Sequence, residues 1–246
     1  RLVGDPLPPL ERRRQEHPAA VEDRRIDFVQ RLELVVAGVD DIRIRKQIGQ
    51  TGQPGVGAAR HRVGGEAGRA EIRPGAVGAA PRLPIGAYNV PGRTGLNLTP
   101  AALAALWRIP QLVAVKESSG NLVQIGTMAA ELPPGKRLLS GDDNLALPSI
   151  AAGASGLVSV MANLLPRETR ALVKAALAGN LDEAREWHAT LLPVMEALFV
   201  ESNPIPLKWA LSELGLIQPG IRLPLTPLSE RHHATVRRAL RSANLQ

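Results

Sequence analysis

A lysine closes a short apolar run in VAVKESSG (113–120), where Lys116 is followed at once by a Ser-Ser-Gly break. Burying an ammonium is costly unless something pairs it or its pKa falls. A lysine that ends a strand at the surface is ordinary, so Lys116 takes its meaning from its neighbours. Three further apolar runs also end in polar residues. One delivers Tyr88 and Asn89, then PGRT with Arg93; another delivers Ser140, Gly141, Asp142 and Asp143; the last gives Ser159, with Asn163 beyond it. These types fit carbonyl chemistry. A lysine in a largely apolar mouth can lose its proton and attack a carbonyl carbon, forming a Schiff base. A tyrosine beside it can relay the protons that imine formation requires. An arginine offers a two-pronged clamp for a carboxylate, and backbone N–H groups at a glycine turn can hold a keto-acid oxygen.

The elements that must bring these residues together are short and alternate. LPIGAYNV (83–90), LVAVKES (112–118), KRLLSGDD (136–143) and SGLVSV (155–160) read as strands. TPAALAALWRI (99–109), NLVQIGTMAAEL (121–132), NLALPSIAAG (144–153) and PRETRALVKAALAG (166–179) read as helices. Thr99 is a natural N-cap with Pro100 at the first helical position, where its missing N–H costs nothing. Four strand–helix pairs with short connections imply parallel βα units, in an open doubly wound sheet or a (β/α) barrel. In either architecture chemistry gathers at the carboxyl ends of the strands, which is where all these polar residues fall. Helices within 181–201, 204–215 and 227–242 follow, with no further strand, and are expected to pack as an appendage.

Composition narrows the function. The 246 residues contain no cysteine, which excludes disulfides and thiolate chemistry and suits a reducing cytoplasm. No apolar run reaches the roughly 20 residues of a membrane helix, and RLVGDPLPPLERRR lacks the apolar core of a signal peptide. A cytoplasmic protein without a membrane partner is expected. The net charge of +7 raises nucleic acid as a partner, but aromatics are 2% of the chain and RRR at 12–14 is the one tight basic cluster. No phosphate loop is present. His232 and His233 are adjacent in a charged terminal helix rather than at metal-ligand spacing, and Asp142 and Asp143 read as caps of the next helix, so no metal is expected. Trp107, Trp187 and Trp209 read as helix packing.

The motifs YNVPGRTG (88–95), VAVKESSGN (113–121), LLSGDDNLALP (138–148), GASGLVSVMAN (153–163) and FVESNPIPLKWAL (199–211) resemble the dihydrodipicolinate synthase (4-hydroxy-tetrahydrodipicolinate synthase) family. They occur in the family's order with family-like spacing over about residues 82–240. The resemblance implies a (β/α)8 TIM barrel with C-terminal helices, usually a homotetramer. It implies condensation of pyruvate with aspartate semialdehyde in lysine and diaminopimelate biosynthesis, with no cofactor beyond pyruvate held covalently as an imine on Lys116. It assigns Lys116 as the Schiff-base lysine, Tyr88 as the proton relay and Arg93 as the arginine on the semialdehyde carboxylate. Gly141 and Val158 match positions lining the pyruvate site. Sister lyases of sialic acid or keto-deoxy sugar acids share the lysine, but they do not generally keep the arginine. A non-catalytic remnant is the other alternative.

The first third departs from this pattern. The family's Gly-Thr-Thr-Gly-Glu turn supplies threonines for the pyruvate carboxylate and the proton relay; the nearest string, QTGQPG (50–55), lacks them. The family's second tyrosine is missing as well, since Tyr88 is the sole tyrosine. Within 1–82 the one apolar stretch is RIDFVQRLELVVAGVDDIRI (25–44), read as a helix followed by a strand. Residues 49–81 are rich in Gly, Ala and Arg and are expected to be poorly ordered. With 25 Arg against five Lys in the chain, translation from another frame or strand of a GC-rich gene is one origin for 1–82, and sequence joined from another gene is the alternative. The expected organisation is therefore 1–82 unmatched, 83–180 as the second half of an incomplete barrel, and 181–246 as helices, with weak or no synthase turnover.

Overall fold

The computed structural model describes residues 34–37 and 84–244. Expectations for the rest of 1–82, including the helix within 25–44 and the stretch 49–81, lie outside the described residues. Strand β1 spans Leu34–Ala37, β2 Ile85–Asn89, β3 Leu112–Glu117, β4 Arg137–Ser140 and β5 Gly156–Ser159. They form one five-stranded sheet in the order β1-β5-β4-β3-β2, with β2 to β5 mutually parallel.

Each parallel strand is followed by helix: α1 (Pro91–Thr94) and α2 (Pro100–Leu106) after β2, then α3 (Leu122–Ala130), α4 (Ala146–Ala151) and α5 (Pro166–Leu177). Sequential parallel strands with intervening helices form part of a (β/α)8 wall. The elements start and stop where local chemistry dictates. Thr99 caps α2 by accepting from Ala102 N, with Pro100 leading the helix, and Asn121 caps α3 by accepting from Val123 N and Gln124 N. Pro166 opens α5, and the chain turns after α3 through Pro133, Pro134 and Gly135.

One strand relation departs from the parallel pattern. β1 pairs with β5 antiparallel, with Leu34 opposite Ser159 and Ala37 opposite Gly156. It covers the sheet edge that a closed parallel barrel would give to another parallel strand.

The core lies between sheet and helices. Val115, Leu138, Leu157, Ile125, Leu103 and Leu172 are all fully or nearly fully buried in one cluster. Strand β5 is buried along its whole length, as expected where both faces are covered. The appendage consists of α6 (Leu181–Ala197), α7 (Ile205–Glu213) and α8 (His233–Ser242). It joins the same cluster through Leu191, Leu211 and Leu240, and Trp187 is buried within it. Trp107 and Trp209 pack against the cluster from its margin. Among the described residues no helix is long and apolar enough to cross a membrane.

Candidate active site

Alternation along a strand sends neighbouring side chains to opposite faces. In β3, Val115 and Glu117 face the helices and are buried, and Lys116 faces the other way into a cleft at the carboxyl ends of the strands. In β2 the same alternation buries Asn89 and turns Tyr88 into the cleft. Tyr88 is directly opposite Lys116, and Asn89 is opposite Glu117. The lysine Nζ lies 4.3 Å from the centroid of the Tyr88 ring. That is close enough for the ring face to attract an ammonium. Tyr88 is 49% exposed.

The cleft encloses about 590 Å³ and also takes in Arg93, Gly141 and Val158. Arg93 lies in α1, just beyond β2, and one of its terminal nitrogens donates to the Asn203 carbonyl at 3.2 Å. This contact ties the loop after β2 to the segment that enters α7. Val158 projects from the buried strand β5. The structure therefore brings all five residues singled out by the sequence to one cleft.

Gly141 is there for space. A Cβ at this position would fall 1.8 Å from Ser118 Oγ and 2.9 Å from Lys116 Cε. Its N–H is already given to the Glu117 carbonyl at 2.8 Å, so it is not the keto-acid donor that the glycine turn was expected to provide. What Gly141 contributes is a backbone close enough for the lysine side chain to pass over.

Asp142 and Asp143 behave differently from the expected helix caps. Asp142 stands at the start of a 3-10 turn, Asp143–Leu145, without making a side-chain cap bond. The Asp143 carboxylate instead reaches forward to the loop after β5. It accepts from Ser159 Oγ and from the N–H groups of Val160 and Met161, the last two at 3.0 Å. The physical reason is distance in the fold: parallel pairing brings the end of β4 beside the end of β5, closer than the next turn of its own chain. Burial pushes both carboxyls above the ordinary value of 3.8, opposed at Asp143 by the bonds it accepts from Ser159, Val160 and Met161. Among the described residues no group of three His, Asp or Glu side chains is placed to hold a metal ion.

Sequence reasoning passed over the polar layer behind the sheet. Glu117, 1% exposed, accepts from Asn89 Nδ2 at 2.8 Å and from Ser119 N at 2.7 Å. Gln124 on α3 and Asn97 extend the same network. A signal was present, because Gln124 occupies the apolar face of a helix whose other buried members are Ile125 and Met128. Buried polar residues of this kind require partners.

The model of the Dihydrodipicolinate synthetase family matches residues 75–243. The 4-hydroxy-tetrahydrodipicolinate synthase of Thiobacillus denitrificans is 47% identical over 169 residues, covering 69% of this chain and 57% of the relative. That of Cellvibrio japonicus is 44% identical over 169 residues, 69% of this chain and 58% of the relative. The crystal structure of dihydrodipicolinate synthase from Aquifex aeolicus aligns with a TM-score of 0.67 at 38% identity, over 69% of this chain and 58% of that one. The chloride-inhibited enzyme from Acinetobacter baumannii complexed with pyruvate gives 0.67 and 38%, over 70% and 59%. The chain thus spans less than three fifths of the length of these relatives.

Proposed function

Since the chain belongs to the dihydrodipicolinate synthetase family, we propose that its cleft binds pyruvate as an imine on Lys116. From that adduct it carries out, in whole or in part, the condensation with aspartate semialdehyde that makes 4-hydroxy-tetrahydrodipicolinate. The observation that carries this reading is the placement of Lys116 over Tyr88 in a cleft that also holds Arg93 and Gly141.

The chemistry runs in balanced steps. The neutral amine of Lys116 adds to the pyruvate C2 carbonyl, and the carbinolamine loses water to give the imine. Loss of a C3 proton leaves an enamine, whose carbon attacks the semialdehyde aldehyde; a proton goes to the new alkoxide. The substrate's own amino group then adds at C2 and expels Lys116, closing the ring. One water is released overall. Tyr88 is the group placed to move protons beside the nitrogen. Arg93 keeps further N–H groups beyond the one spent on Asn203 and is the candidate clamp for the semialdehyde carboxylate. Gly141 and Val158 shape the wall around the keto acid.

The paired threonines that the resemblance calls for have no counterpart in the sequence. Imine formation is therefore expected to outlast full turnover in this chain. The test is incubation with pyruvate and borohydride, followed by peptide mass mapping, with Lys116→Arg as the control. A pyruvate-dependent mass gain on Lys116 supports the assignment. A chain that gains no mass, or gains it on another lysine, overturns it.

A further inference from the structure

The residues that face the cleft are aimed by residues that never enter it. Tyr88 and Lys116 are cross-strand partners, and the next pair along, Asn89 and Glu117, stands on the opposite face of the same two strands. Asn89 and Glu117 are 2% and 1% exposed, so this second pair is walled off from the cleft by the sheet itself. Asn89 Nδ2 donates to Glu117 Oε2 at 2.8 Å and also to Asn97 Oδ1 at 2.9 Å, while Asn89 Oδ1 accepts from Leu98 N at 2.8 Å. Glu117 Oε1 takes the Ser119 N–H at 2.7 Å, and Gln124 Nε2 reaches Oε2 at 3.4 Å. Asn97 and Gln124 exchange amide hydrogen bonds at 2.8 and 3.1 Å.

A carboxylate buried among these neutral donors is an expensive way to fill a core position. Packing alone would be served as well by a leucine. What the carboxylate adds is direction. Its two oxygens hold the β2 strand end through Asn89, the turn after β3 through Ser119, and α3 through Gln124. Asn89 in turn fixes residues 97 and 98, at the far end of the loop that carries Arg93. A one-residue slip between β2 and β3 would break this set and would also part Tyr88 from Lys116.

We propose that Glu117, with Asn89 as its partner, is a positioning residue for the cleft. It locks the β2–β3 register from behind the sheet, so that Lys116 stays over the Tyr88 ring and the Arg93 loop stays closed on the cleft. The reaction-rate part rests on the imine chemistry proposed above; the geometric part does not.

The test uses Glu117→Gln, which keeps the shape but places an amide N–H₂ among donors. It is paired with the double variant Asn89→Asp/Glu117→Gln, which restores one donor facing one acceptor across the two strands. The first readout is independent of pyruvate. Reductive ¹³C-methylation labels the lysines, Lys116→Arg identifies the Lys116 signal, and its upfield displacement by the Tyr88 ring is followed. The displacement should be present in the parent, collapse in Glu117→Gln and return in the double variant. The second readout is the rate of borohydride trapping at saturating pyruvate. Glu117→Gln should lower it about 10²-fold, the usual result of an ångström-scale misplacement, with the pyruvate half-saturation within about twofold of the parent and the double variant recovering most of the loss.

A Lys116 signal unchanged in Glu117→Gln, one without upfield displacement in the parent, or a double variant no better than the single would each overturn the positioning role. A parent that shows the displacement and its loss but is never trapped by pyruvate would sink the imine reading and leave the positioning role supported.

Discussion

Lys116 Nζ stands 4.3 Å from the centroid of the Tyr88 ring, and the two residues are direct cross-strand partners in β3 and β2. The contact separates two duties of the tyrosine. Its ring face lies against the lysine amino group, and its hydroxyl is the group that can carry protons. Tyr88→Phe keeps the first and removes the second. Trapping of pyruvate on Lys116 should slow by about 10²- to 10⁴-fold, the usual cost of a lost proton-transfer group. The rate of appearance of the borohydride adduct by intact mass measures it. A parental rate would show that the tyrosine hydroxyl moves no proton in imine formation.

Gly141→Ala tests the close approach at the end of β4. The added methyl meets Ser118 Oγ and Lys116 Cε, both movable side-chain atoms, rather than backbone. The fold should therefore survive, with a loss within about 1–3 kcal/mol by urea unfolding. Lys116, pushed from its place, should be trapped by pyruvate about 10²-fold more slowly. Normal trapping in a folded variant would mean that the lysine has room the structure does not give it.

Asp143 is the tie between the ends of β4 and β5. Asp143→Ala leaves the N–H groups of Val160 and Met161 without their acceptor. A buried donor left unsatisfied costs about 1–3 kcal/mol, so the urea midpoint should fall markedly and amide exchange at 160 and 161 should accelerate. Exchange that stays slow at those two amides would show that another group has taken over as acceptor.

Asp142 gives a pH signature. Burial raises its folded pKa above the ordinary 3.8, so the fold favours the protonated form. The stability contributed by this preference is fully present below 3.8 and is lost as pH rises through the raised folded value. Asp142→Asn removes the titration. The variant should be at least as stable as the parent at pH 7, and its advantage should vanish as pH is lowered past 3.8. Thermal melts of both proteins across pH 3 to 7 read the difference. An advantage that grows on acidification would reverse the sign and remove the burial argument.

The periodicity of residues 83–180 was legible because each signal is local. A period of two over a few apolar residues makes a strand, a period near four makes a helix, and Thr99, Asn121 and Pro166 mark helix starts through bonds within a few residues. The polar residues that close each strand were legible for the same reason, and so were Lys116, Tyr88, Arg93 and Gly141 at one rim once parallel βα units were inferred, whereas Val158 was named by the family resemblance alone; the structure gathers all five in one cleft. What only the tertiary structure decided are relations between residues far apart in the chain. The antiparallel seat of Leu34–Ala37 against β5 depends on which sheet edge is open, and no local pattern encodes it. Asp143 caps residues 160 and 161 rather than its own next turn because β4 and β5 end side by side. In sequence Glu117 is a charged residue beside Lys116 at the end of an apolar run. It is buried because strand alternation turns it toward α3, where Asn89 and Gln124, 28 positions before it and seven after, supply the donors that make its burial tolerable.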